Sequence, residues 1–131
     1  MSQNIKTLRL ILGDQLNSEH SWFTQKNDNV IYLMAEMRQE TDYVKHHIQK
    51  VVAFFLAMRN FAEDLKTKNH IVDYYHIYNE QNPQDLEQIV KQSIEKHNIQ
   101  KFEYLLPDEY RLDEQLKNIC KNLSISSEAI V

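Results

Sequence analysis

The stretch Leu8-Arg9-Leu10-Ile11-Leu12-Gly13-Asp14 is a short apolar run that stops at a glycine and an aspartate. An apolar run bounded by a turn signal is typical of a strand buried in a sheet. The same pattern predicts further strands at residues 30–34, 71–77 and 102–106, and we expect the tail, residues 124–131, to begin a fifth strand.

Apolar residues at helical spacing lie between these strands. The clearest helix is predicted from Thr41 to Lys66, with Asn69 at the stop position, and two more are predicted at 85–97 and 109–122. Strands that alternate with helices imply a parallel sheet covered on both faces. We predict one α/β domain over residues 1–131, with a doubly wound, mostly parallel Rossmann-like sheet of four to five strands flanked by helices.

The composition excludes several cofactor motifs. The 131 residues include a single glycine and a single cysteine. A dinucleotide fingerprint and a phosphate-binding loop each need at least two glycines, and a zinc or iron–sulfur site built on cysteines needs more than one cysteine. With 15 basic and 19 acidic residues, the formal charge of −4 gives no reason to expect nucleic-acid binding by this chain alone. We expect no membrane association, and the lone cysteine without an export signal indicates the cytoplasm.

Parallel sheets bind ligands at the carboxyl ends of their strands. Those ends are predicted at 13–16, 35–40, 76–79 and 106–111. Gly13 either lets the backbone approach a planar ligand or makes a tight turn of positive φ before a capping Asp14.

Glu36 and Glu40 flank the end of the second predicted strand. They could form an acid/base pair, accept hydrogen bonds from a heterocycle or a sugar, or make the charged first turn of the long helix. Arg111 is free to bind an anion or to pair with either glutamate. We predict no metal site, because the adjacent His46 and His47 point in different directions on a helix.

Four motifs in order resemble the N-terminal domain of the deoxyribodipyrimidine photolyase-related proteins, the iron–sulfur bacterial cryptochromes and (6-4) photolyases. The resemblance covers nearly the whole chain. The motifs are Leu10-Ile11-Leu12-Gly13-Asp14-Gln15-Leu16, Glu36-x-x-x-Glu40-x-x-Tyr43-Val44-x-His46-His47-x-x-Lys50, Ala57-Met58-Arg59-x-Phe61-Ala62-Glu63-x-Leu65 and Pro107-x-Glu109-Tyr110-Arg111.

The resemblance implies an antenna domain of a flavoprotein of light-dependent DNA repair or light sensing. Such a domain holds the pigment 6,7-dimethyl-8-ribityllumazine, while FAD, a 4Fe-4S cluster and the damaged DNA belong to a helical C-terminal domain that this chain lacks. Alone, the chain is expected to have no catalytic activity, and an apolar surface left by the missing partner can drive oligomerisation. The resemblance implies that the following residues face the pigment, with Lys50 and Arg111 further out: Gly13, Asp14, Gln15, Leu16, Glu36, Glu40 and Tyr43.

Two functions from other classes remain open. One is a stand-alone nucleotide-binding α/β module that uses the same strand ends without light. The other is a hydrolase built on the carboxylates of Glu36 and Glu40.

Overall fold

Five parallel strands form one sheet in the computed structural model, which describes residues 6–13, 15–17, 20–23, 29–37, 48–107 and 110–130. In chain order the strands are β1 (Thr7–Leu10), β2 (Val30–Ala35), β3 (Ile71–Tyr75), β4 (Lys101–Leu105) and β5 (Ser126–Ile130). Their order across the sheet is β3-β2-β1-β4-β5. Because β1 pairs with both β2 and β4, the order of the strands reverses beside β1. The predicted doubly wound parallel sheet is confirmed, including its fifth strand.

Three helices connect the strands within the described residues. They are α1 (Ile48–Thr67), α2 (Leu86–His97) and α3 (Tyr110–Lys121), and a short 3-10 helix at Ser21–Phe23 lies between β1 and β2. The predicted start of the long helix, residues 41–47, lies outside the described residues. Among the described residues, no helix combines the length and the apolar character of a membrane span.

Local hydrogen bonds move the ends of some elements by one or two residues from their predicted places. Asp85 precedes α2 as its cap, because its carboxylate accepts hydrogen bonds from the amides of Glu87 (3.0 Å) and Gln88 (3.3 Å). Strand β3 ends at Tyr75 and not at residue 77, because the chain turns where the Asn79 amide donates to the His76 carbonyl (3.0 Å).

The sheet separates two apolar cores. On one face, α1 and the 3-10 helix pack on β2, β3 and Ile11, and on the other face α2 and α3 pack on β1, β2 and β4. Met58 and Leu65 of α1 are fully buried, as are Ile89 of α2 and Leu116 of α3. Each such side chain stabilises the fold by about 1.5–3 kcal/mol relative to an exposed one. These cores hold the carboxyl ends of the strands in place.

Non-glycine residues occupy the left-handed backbone positions of the described chain. Asn69 (φ 70°) follows the end of α1, as predicted, and Asn98 (φ 54°) caps the end of α2. Gln84 (φ 57°) lies just before α2. Asparagine tolerates this conformation better than most residues, since its short side chain bonds locally. The single glycine, Gly13, is therefore not needed for a left-handed turn in the described chain.

We expect Asn98→Ala to lower the free energy of unfolding by about 1 kcal/mol, because alanine pays the full left-handed penalty. Asn98→Gly should lie within about 0.5 kcal/mol of the wild-type chain. Urea unfolding followed by circular dichroism measures both. The matched control is Asn118→Ala, an exposed asparagine inside α3. Equal stability of Asn98→Ala and Asn118→Ala would contradict this account of the cap.

Candidate functional site

The carboxyl ends of β1 and β4 meet where the strand order reverses, which is the ligand position of open α/β sheets. Gln15 joins these two ends. Its Oε1 accepts a hydrogen bond from the Leu12 amide (3.1 Å), and its Nε2 donates to the Leu105 carbonyl (3.2 Å). Leu16 is half-buried against the core under α1. Two residues of the predicted site thus lie at the reversal point.

Gly13, two residues before Gln15, is buried. Its φ is not in the left-handed region, so the alternative of a positive-φ turn is wrong. A Cβ at this position would overlap the ring of Phe54 from α1 and would lie 3.2 Å from the sulfur of Met58. The structure thus places a planar group directly against the backbone of Gly13, and that group is an aromatic ring of the chain itself.

Glu36, the residue after β2, has no exposure to solvent. Arg59 of α1 donates to both carboxylate oxygens, from Nε to Oε2 (2.5 Å) and from Nη2 to Oε1 (2.8 Å). The Tyr74 hydroxyl donates to Oε2 (2.5 Å), and the Ile77 amide donates to Oε1 (2.9 Å). A two-pronged arginine pair with two further donors satisfies a buried carboxylate fully.

The main chain of Glu36 is bound as closely as its side chain. Its amide donates to the Tyr75 carbonyl (2.8 Å), which extends the pairing of β2 with β3 by one step. Its carbonyl accepts from the side-chain amides of Asn82 and Gln84, both at 3.0 Å. Glu36 therefore anchors the polar loop that follows β3.

The charges of this group are mutually stabilised. Burial alone would raise the pKa of Glu36, but the donors from Arg59, Tyr74 and Ile77 lower it below the ordinary carboxyl value. The pKa of Tyr74 is raised by burial and by its hydrogen bond to Glu36. The hydrogen bond to Glu36 raises the pKa of Arg59. The carboxylate is thus ionised at neutral pH and the phenol is protonated.

The comparison with known proteins identifies the family. Residues 9–130 match the family described as deoxyribodipyrimidine photo-lyase-related protein. This chain belongs to that family. It is similar to a (6-4) photolyase of Agrobacterium fabrum, with 31% identity over 112 residues that cover 83% of this chain. The matched part spans 22% of the length of that relative.

Part of the predicted site of this photolyase-related chain lies outside the described residues, namely Asp14, Glu40 and Tyr43, together with His46 and His47. Within the described residues, no group of three His, Cys, Asp or Glu side chains could hold a metal ion. Arg111 is exposed at the start of α3.

Glu36 pairs with Arg59. One alternative drawn from the sequence, a pair between Glu36 and Arg111, is therefore wrong. Arg59 and Tyr74 are the two side chains bonded to the Glu36 carboxylate, and the sequence assigned neither of them a part in the site. Arg59 lies in one of the family motifs, which was a usable signal. No sequence signal marked Tyr74, because aromatic residues are common in strands.

We expect Gly13→Ala to lower the free energy of unfolding of the photolyase-related chain by about 1 kcal/mol, the low end for an overpacked core. The half-buried Phe54 ring can shift partly out of the way. Phe54→Leu in the Gly13→Ala background should recover most of the loss, with Phe54→Leu alone as the control. Urea unfolding of the four proteins measures these free energies. Additive effects of the two changes on the free energy of unfolding would contradict the predicted recovery.

The lowered pKa of Glu36 makes its contribution to stability depend on pH. This contribution is present above the unfolded-state pKa of the carboxyl and is lost as the pH falls through the lower, folded-state value. Glu36→Gln should lower the free energy of unfolding at pH 7 by about 3 kcal/mol, because it breaks a buried ion pair whose arginine is 36% exposed.

The gap between Glu36→Gln and the wild-type chain should narrow when urea unfolding is repeated at progressively lower pH in the acid range. The exposed Glu80, in the loop after β3, supplies the control variant Glu80→Gln. A gap that stays constant on acidification would show that the ionised form of Glu36 has no special stability.

Proposed function

We propose that this chain is the antenna domain of a larger photolyase-related flavoprotein and binds 6,7-dimethyl-8-ribityllumazine at the carboxyl edge of its sheet. One observation carries the proposal: Gly13, Gln15 and Leu16 of one family motif follow β1, and Glu36 of another follows β2, at that edge, beside the reversal of strand order. Open α/β sheets bind their ligands in this position.

The described residues of the edge suit a flat, largely apolar ring. Leu16 and Phe54 are half-buried there, and Leu106 after β4 is 43% exposed. Ligand pockets combine such apolar walls with a few polar groups. The family resemblance adds Asp14, Glu40 and Tyr43, whose oxygen atoms would accept hydrogen bonds from the ribityl hydroxyls. The pigment would contribute light absorption, while these residues hold it and exclude water.

We assign the remaining functions to the rest of the larger protein. Because the match spans 22% of the (6-4) photolyase, FAD, the 4Fe-4S cluster and damaged DNA would be bound by other parts of such a protein. The acidic balance of this chain agrees with that division, since DNA-binding modules usually carry a basic face. The chain alone would hold the pigment and catalyse no reaction.

The hydrolase alternative loses support from the site geometry. A general base needs a free lone pair and a pKa near the working pH. All the acceptor positions of Glu36 are occupied, and its pKa is lowered. The nucleotide-binding alternative is tested by titrating the purified chain with FMN, FAD and ATP beside the lumazine.

We expect the purified chain to bind 6,7-dimethyl-8-ribityllumazine saturably, seen as a change in pigment fluorescence and as quenching of Trp22, the one tryptophan. FMN, FAD and ATP are titrated in parallel. Binding of ATP without any response to the lumazine would overturn the antenna function in favour of a nucleotide-binding module.

Glu40→Gln should raise the Kd for the lumazine about tenfold, because a hydrogen bond to a charged group is worth about 1.5–3 kcal/mol. Gly13→Val should also weaken binding, since it displaces the Phe54 ring from the edge. Glu80→Gln is the matched control and should bind as the wild-type chain does. If Gly13→Val and Glu40→Gln both retain full affinity, the site does not lie at this edge.

A further inference from the structure

Resting on the pigment-binding function proposed above, we propose that Arg59 and Tyr74 are positioning residues of the pigment site. They fix Glu36 and, through it, the end of β2 relative to α1 and β3 at the carboxyl edge of the sheet. Neither residue needs to touch the pigment for this role.

The first step is that Glu36 has no acceptor capacity left for a ligand. A carboxylate offers about four lone-pair positions. Arg59 takes two of them, and the Tyr74 hydroxyl and the Ile77 amide take the other two. Glu36 is also fully buried. Glu36 therefore contributes to the edge by holding its hydrogen-bond donors in place, without binding the ligand itself.

The second step concerns what Glu36 connects. Glu36 follows the last residue of β2, and Arg59 lies on α1, the next helix along the chain. The ion pair between Glu36 and Arg59 thus joins the end of β2 to α1. Tyr74 of β3 adds a third element, so that α1 is fixed relative to the carboxyl ends of β2 and β3.

A second buried carboxylate in the same strand provides a comparison. Asp73 is 7% exposed and lies next to Tyr74, but it faces α2 on the opposite side of the sheet. Its carboxylate accepts from the Ser93 hydroxyl (2.7 Å) and Lys96 Nζ (3.1 Å), with His97 Nε2 at 3.2 Å. Within the described residues, these contacts join β3 to α2, on the face of the sheet away from Arg59.

The test compares Tyr74→Phe with Ser93→Ala, since each removes one hydroxyl that donates to a buried carboxylate. The Kd for 6,7-dimethyl-8-ribityllumazine and the absorption maximum of the bound pigment are measured on the full chain, well below the unfolding midpoint of each variant. Tyr74→Phe should raise the Kd at least tenfold and shift the absorption maximum. Ser93→Ala should change the Kd less than twofold and leave the maximum in place.

A second pair of variants covers the case in which Tyr74→Phe does not fold. Arg59→Lys keeps the charge but loses the two-pronged geometry, and it should weaken pigment binding in the same way. Its control is Arg9→Lys, which alters the Arg9–Glu103 ion pair (2.9 Å) between β1 and β4. If Arg59→Lys binds the pigment as tightly as Arg9→Lys does, the positioning role is overturned.

The outcomes separate this inference from the function on which it rests. A wild-type chain that binds the lumazine, with Tyr74→Phe and Ser93→Ala binding equally well, would overturn the positioning role and leave the antenna function standing. A wild-type chain that does not bind the lumazine would overturn both.

Discussion

The carboxylate of Glu36 is shut off from water, and the carboxyl edge of the sheet depends on how its charge is compensated. Leaving such a charge unpaired costs several kcal/mol, so its donors must be held in place. They come from α1, from β3 and from the turn after β3. Because one group binds all three, the end of β2 sets the position of each relative to the others.

Much of the fold could be predicted from the sequence, because burial imposes local periods on it. The run 8–12 and the helical spacing before Asn69 each reflect a surface that a single element presents to the core. The ion-pair network was not predictable in this way. Glu36 lies 23 residues from Arg59 and 38 from Tyr74, and they meet only through the register of β2 on β3 and the rotation of α1.

The same distinction applies to Gly13. The sequence indicates correctly that the glycine after β1 has a special role. It leaves two reasons open, a positive-φ backbone conformation and the close approach of a planar group to the backbone. The structure shows that the backbone conformation does not require glycine, whereas the Phe54 ring does. Asparagines perform the left-handed turns instead, at Asn69 and Asn98. Which side chain packs against a given backbone atom is decided by tertiary packing, and a local pattern does not contain it.

The compensation of Glu36 also bears on which ligand the edge favours. A nucleotide brings phosphates, which need cations or free backbone amides. The charge of Arg59 is already committed to Glu36, while Arg111 stands exposed at the start of α3. A lumazine with a ribityl chain carries no phosphate and needs hydrogen-bond acceptors beside an apolar wall. The pairing of Arg59 with Glu36 thus removes one cation that a phosphate would need, which agrees with the uncharged ligand proposed above for this edge.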